Sequence, residues 1–203
     1  VWINFDEKGR SNFSNLKFLE DEKREAVNFK YESINVTIRD SVVHFGDLSR
    51  SISGDAKNIT ALLSPTESKT AEGENRYKFD LTSTDSNFVY DTKKVEKIDI
   101  RAVGIADNKG ADIQKLDVRT PLGDVSMFGS VTDWADPKYE LDVTSMVDLT
   151  QTSITFSTGT ALRGVGNFKG HVSGQGENYR VEGTADSESL RADGVYLKAI
   201  NVA

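Results

Sequence analysis

Apolar and polar residues alternate with a period of two along most of this chain. Ile34, Val36 and Ile38 alternate with Ser33, Asn35, Thr37 and Arg39. Tyr77, Phe79 and Leu81 alternate with Lys78, Asp80 and Thr82, and Ile98, Ile100 and Ala102 with Lys97, Asp99 and Arg101. The same holds for Leu116 and Val118, for Val125, Met127 and Val131, for Tyr139, Leu141 and Val143, and for Tyr179 and Val181. Successive side chains of a strand point to opposite faces, so each run predicts a strand with one apolar and one wet face. Parallel strands buried on both faces would read as unbroken apolar runs, so the pattern predicts antiparallel pairing.

Turn residues separate the runs. Candidates are Phe45-Gly46-Asp47, Glu72-Gly73-Glu74-Asn75, Asp107-Asn108-Lys109-Gly110, Pro121-Leu122-Gly123-Asp124, residues 133–137, residues 174–178 and Ala192-Asp193-Gly194. Gly, Asn and Asp tolerate the positive φ of tight hairpins. The three prolines are expected in or beside loops, because a strand interior needs the N–H they lack. Helix is scarce. Residues 16–27 could form one, but the charges at 20–25 fit better as the tip of a long hairpin between strands at 15–19 and 27–31. Residues 184–191 run into a strand pattern and are not assigned to a helix. A hairpin unit is loosely repeated: Gly129-Ser130-Val131 followed by Tyr139-Glu140-Leu141 is echoed by Gly170-His171-Val172 followed by Tyr179-Arg180-Val181.

Composition narrows the class. The chain has 203 residues, 37% of them hydrophobic, a net charge of −7 and no cysteine. That excludes a disulfide framework, a thiolate zinc site and a cysteine nucleophile. The acidic balance argues against a nucleic-acid surface, which wants clustered Lys and Arg. No run of apolar residues is long enough for a membrane-spanning helix. The chain starts at Val1 without a signal segment and stops in mid-pattern at 203, so 1–203 reads as one β-rich segment of a longer, repeat-like protein.

Candidate chemistry is thin. His44 and His171 could share a metal only if their strands were neighbours; each reads better as a strand-surface residue. The stretch 164–170 matches neither a dinucleotide nor a P-loop spacing and is not followed by a helix pattern. Asp107-Asn108-Lys109-Gly110-Ala111-Asp112 resembles part of a calcium loop but lacks the bidentate Glu, so it reads as a hairpin turn. Asp133 and Asp136 share one loop, where neither is tuned apart from the other for acid–base work. Asn12, Asn35 and Asn58 open Asn-x-Ser/Thr triplets to which no role is assigned. No catalytic constellation stands out, so the chain does not read as an enzyme, and no cofactor is implied.

What remains is a geometric problem. A dozen or so strands each carry an apolar face, with no amphipathic helix to cover them. Those faces either pack on each other in a closed sandwich or line a groove filled by an apolar ligand. The alternation is the same in both, with the groove preferred.

The texture of the chain resembles the AsmA-like and TamB-like envelope proteins. The likeness is carried by Ser33-Ile34-Asn35-Val36-Thr37-Ile38-Arg39-Asp40-Ser41-Val42-Val43-His44-Phe45-Gly46-Asp47, similar to their hairpin of aliphatic strand, Asp, small residue and second strand. Residues 53–63 follow it as the next strand would. It is carried also by the Gly-punctuated strands of 160–202. The resemblance implies an all-β fold: a long curved antiparallel sheet folded like a taco around an apolar groove. It implies a periplasmic location in the cell envelope, and an inner-membrane anchor outside this chain. It further implies passage of phospholipid toward the outer membrane, or help to an outer-membrane assembly component. The expected lining is Ile34, Val36, Ile38, Tyr77, Phe79, Leu81, Ile98, Ile100, Leu116, Val118, Val125, Met127, Tyr139, Leu141, Val143, Tyr179 and Val181, whose role would be to solvate acyl chains. The competing reading is a structural or adhesive β-domain of a cell-surface protein, with a sealed core and a partner bound through loops such as that of Trp134.

Overall fold

The computed structural model describes residues 1–7, 35–71, 73, 75–134, 136–176, 178–193 and 195–202. The helix-or-hairpin question at 16–27, and Ile34, lie outside these residues. The rest forms one sheet of twelve strands. In chain order they are β1 (Trp2–Phe5), β2 (Val36–Asp47), β3 (Ile52–Lys69), β4 (Asn75–Tyr90), β5 (Lys93–Ala106), β6 (Gly110–Thr120), β7 (Gly123–Thr132) and β8 (Lys138–Asp148). A short helix, α1 (Leu149–Phe156), precedes β9 (Leu162–Arg163), β10 (Val165–Gln175), β11 (Asn178–Ala192) and β12 (Val195–Val202).

Neighbours in sequence are neighbours in space: the order is β1-β2-β3-β4-β5-β6-β7-β8-β10-β11-β12, with β9 against β11. All described pairs are antiparallel except β1 with β2. The fold is therefore the open, curved all-β sheet expected, and not a closed sandwich. Among the described residues no second sheet packs on either face, and the buried apolar side chains are Ile59, Ala61 and Val95.

The curvature has a local cause. Asp40, Asn58, Asp85 and Lys97 each have φ between 47° and 57°, the left-handed region that L-residues rarely adopt. Each sits at or beside a shift of register in β2, β3, β4 or β5. Each is one extra residue in its strand, a β-bulge, and bulges bend a strand and sharpen its twist. Because four neighbouring strands all carry one, the registers resume beyond them, and the bulges line up as a crease across the sheet. Asn58 Nδ2 donates to the Thr84 carbonyl (3.2 Å), the Lys57 amide to Ser86 Oγ (2.9 Å) and Ser83 Oγ to the Lys57 carbonyl (2.8 Å). Ser83 and Ser86, 2.7 Å apart, are only 2% and 3% exposed. They satisfy backbone groups that the bulges would otherwise leave unpaired.

Three details differ from the sequence expectations. Phe45-Gly46-Asp47 ends β2 and the turn follows at residues 48–51. Asp40-Ser41 does not reverse the chain: it is a bulge within one continuous β2, since a left-handed Asp serves either purpose. Pro65 lies inside β3, past the last described β2–β3 pair at Val36 and Leu63, where its missing N–H breaks no described bond to β2.

Candidate functional site

Following the registers across the sheet shows what its apolar face is made of. One row runs Val36, Leu63, Phe79, Gly104, Ile113, Gly129, Leu141, Val172, Val181, from β2 to β11. The next runs Ile38, Ala61, Leu81, Ala102, Leu116, Met127, Val143, Gly170, Gly183. Directly opposed residues of a sheet share a face, so both rows are apolar without interruption. Tyr77, Tyr139 and Tyr179 fall in a third row, and Ile100, Val118 and Val125 in a fourth, joined by Ile98 beside the crease. Every expected lining residue that the structure describes is thus on one face.

The opposite face alternates in charge. Thr60, Thr82, Arg101, Asp117, Ser126, Thr144, Lys169 and Thr184 form one of its rows. In a trough of about 310 Å³ on this side, bordered by Arg101, Lys115 and Arg119, Lys115 meets Asp117 at 2.9 Å and Arg101 meets Asp80 at 3.9 Å. Such exposed pairs solvate a surface and contribute little to stability.

Most expected lining residues, from Tyr77 on β4 to Val143 on β8, are half-buried. Shelter weakens toward both sides: Val36, Ile38 and Val181 are exposed, and Tyr179 is 73% exposed. The cause at β11 is its neighbours, because Gly170, Gly174 and Gly183 offer no side chain, and the described pairs of β12 begin only at Ala185.

The shelter in the middle comes from rings lying over glycines. A Cβ on Gly104 would sit 2.7 Å from Phe79 Cζ, one on Gly54 2.6 Å from Phe45 Cζ, and one on Gly170 2.6 Å from Phe168 Cζ. Phe45 and Phe88 flank Gly54 as a stacked pair with centroids 6.4 Å apart. With no second sheet above, the aromatics cover backbone instead, a known way to stabilise glycine in a strand.

The lining expected from sequence stops at the crease, yet the apolar face continues past it through Val43, Phe45, Ala56, Ile59, Phe88 and Val95. The missed signal is a change of parity. In β4 the apolar positions run 77, 79, 81 and then 88 and 90; in β5 Val95 is followed, out of step, by 98, 100 and 102. An extra residue in a strand must flip parity to keep its apolar side on one face.

The other candidates resolve into structure. His44 on β2 and His171 on β10 are separated by β3 to β8. His44 Nδ1 lies 2.7 Å from Asp55, which also accepts from Asn87 Nδ2 (3.0 Å), and Trp2 stacks on the imidazole at 4.2 Å. The hydrogen bonds from Asn87 and then His44 hold the Asp55 carboxyl below its usual range. His171 bonds Glu140 (2.7 Å) and Asp142 (3.1 Å) on the wet face. Asp107 accepts the Lys109 and Gly110 amides as a hairpin turn, and Asp133 accepts the Asp136 amide within one loop. Residues 164–170 lead into and through β10. Among the described residues no three His, Cys, Asp or Glu side chains cluster as a metal site, and no helix is long and apolar enough to cross a membrane.

No family model matches the chain, and neither a curated protein nor a solved structure matches it.

Proposed function

We propose that this chain is a lipid-carrying segment of an envelope protein of the AsmA-like and TamB-like kind, holding phospholipid acyl chains on the apolar face of its sheet. The observation that carries this reading is the unbroken apolar rows from β2 to β11, on which no second sheet packs among the described residues. Soluble monomers seldom leave more than a few hundred Å² of contiguous apolar surface in water. A hydrocarbon ligand removes that cost at about 0.8 kcal/mol per buried CH₂, so ten methylenes contribute roughly 8 kcal/mol before the entropy of immobilisation. The face supplies no fixed polar anchor along its two central rows, which suits a ligand that moves along it. In this reading the segment lies in the periplasm of a protein anchored in the inner membrane outside this chain. It passes phospholipid toward the outer membrane or supports an assembly component there.

Native mass spectrometry of gently purified protein tests it, with co-purifying phospholipid expected. Leu141→Asp and Val118→Asp should each remove the bound lipid and slow lipid transfer between vesicles about tenfold, while circular dichroism keeps its strand signal. Protein that is lipid-free in every gentle preparation would overturn the proposal and favour the structural or adhesive reading.

A further inference from the structure

The tyrosines of this chain are not scattered. Tyr77 and Tyr90 lie near opposite ends of β4, Tyr139 is the second residue of β8, Tyr179 the second of β11 and Tyr196 the second of β12. Among the described residues every tyrosine is thus within two residues of a strand end. The registers place four of them on the apolar face, at its two margins. Along one margin runs the row Pro65, Tyr77, Ala106, Ala111, Val131, Tyr139, Gly174, Tyr179. Along the other, past the crease, run Asp47, Ile52, Tyr90 and Lys93. From β2 to β11 the phenylalanines of this face, Phe45, Phe79, Phe88 and Phe168, all lie at least one row nearer the crease.

Phenylalanine is apolar throughout. Tyrosine joins an apolar ring to a hydroxyl that needs a polar partner, so it suits a boundary with one apolar and one wet side. The surroundings match. Beyond the first margin the next register is polar, with Thr132, Lys138, Gln175 and Asn178 in line, and Arg76 lies 3.4 Å from Asp107. Tyr90 and Tyr179 are 52% and 73% exposed, which leaves room for a ligand at their hydroxyls. The Tyr139 ring leans over Gly174, its hydroxyl oxygen 2.5 Å from the point where a side chain there would begin. Gly174 stands between Tyr139 and Tyr179, so that hydroxyl reaches along the margin toward β11.

The depth of the face matches a hydrocarbon chain. From Ile100, in the row beside the crease, to Ala106, in the tyrosine row, β5 covers about 20 Å. The hydrocarbon of one bilayer leaflet is about 15 Å deep, half of a core of about 30 Å.

We propose that phospholipid lies along the strands of this face, its acyl chains directed to the crease and its ester and phosphate oxygens accepting hydrogen bonds from the marginal tyrosine hydroxyls. This rests on the lipid-carrying reading and adds an orientation and a polar contact to it. The aliphatic rows hold hydrocarbon at any depth, and the tyrosines fix the depth. Because Tyr77, Tyr139 and Tyr179 recur along one margin, a lipid that moves from strand to strand keeps its headgroup at one level.

Methyl-labelled protein tests the orientation by NMR without any substitution. It is loaded from phosphatidylethanolamine–phosphatidylglycerol vesicles that carry a phospholipid with a nitroxide on either the headgroup or the end of an acyl chain, and is then separated from them. The headgroup nitroxide should broaden the methyls of Ala106 and Ala111 and spare those of Ile100 and Val118, and the chain-end nitroxide should do the reverse. Tyr139→Phe with Tyr179→Phe keeps both rings and should release phospholipid about tenfold faster, while hexadecane is held as tightly as before. If both nitroxides broaden both rows alike, or the double variant releases phospholipid at the unmodified rate, the proposal is overturned and the lipid reading stands. If the separated protein carries no nitroxide lipid, both fall.

Discussion

Single residues in this sheet carry strain and charge that can be tested one at a time. Lys97 holds φ at 57° in the crease without the local side-chain hydrogen bonding that makes Asn and Asp tolerant of that region. Lys97→Gly should therefore raise the urea midpoint, corresponding to a gain of about 1 kcal/mol. Gly104→Val should do the reverse, because its Cβ would meet the Asp112 carbonyl oxygen at 2.3 Å and the Phe79 ring. A loss of roughly 2–3 kcal/mol is expected in the same titration. His171 gives a pH signature. Hydrogen bonds to Glu140 and then Asp142 raise its pKa above the usual 6.5. A group whose pKa is higher folded than unfolded adds stability that is fully present below the unfolded value and is lost as pH rises through the folded one. NMR titration should place the His171 midpoint above 6.5, and His171→Gln should abolish the decline in stability across that window. A midpoint at or below 6.5 would show that the two carboxylates do not hold the proton.

At the level of elements, period-two alternation is a strong signal, and it was enough to place the strands of β2, β4 to β8 and β11 and the turns between most of them. It does not distinguish a chain reversal from a bulge. Asp40-Ser41 carries turn chemistry in either case, and only its pairing with β3 decides that β2 continues. The parity flips between 81 and 88 in β4 and between 95 and 98 in β5 were legible, and they mark the crease and the half of the apolar face beyond it. The helix α1 was not, because Leu-Thr-Gln-Thr-Ser-Ile-Thr-Phe has the β-branched content of a strand. It is helical because Asp148 caps it and because Gly166 and β5 give it a seat, which are tertiary facts. The crease depends on its two buried serines. Replacing Ser83 and Ser86 together by Ala leaves the Lys57 amide and carbonyl without their partners. That double variant should lose about 2–4 kcal/mol in denaturant titration, more than either serine alone. A loss under 1 kcal/mol would mean that the bulges do not depend on them.

For the whole molecule, alternation showed that one face is apolar but left open what covers it, since sandwich and groove require the same pattern. Topology settles the architecture: neighbours in sequence pair in order, the sheet does not return on itself, and few apolar side chains are buried among the described residues. The proposed occupant of the open face is hydrocarbon, and adjacent residues on β7 offer the sharpest comparison. Met127 lies in the apolar row between Leu116 and Val143, whereas Phe128, more than half exposed, lies opposite Asp142 on the wet side. A benzophenone amino acid placed at each position in turn, irradiated with radiolabelled phospholipid vesicles, reads the two faces separately. The predicted result is a lipid adduct from position 127 and none from 128. Equal adducts at both positions, or none at 127, would contradict a hydrocarbon-carrying face.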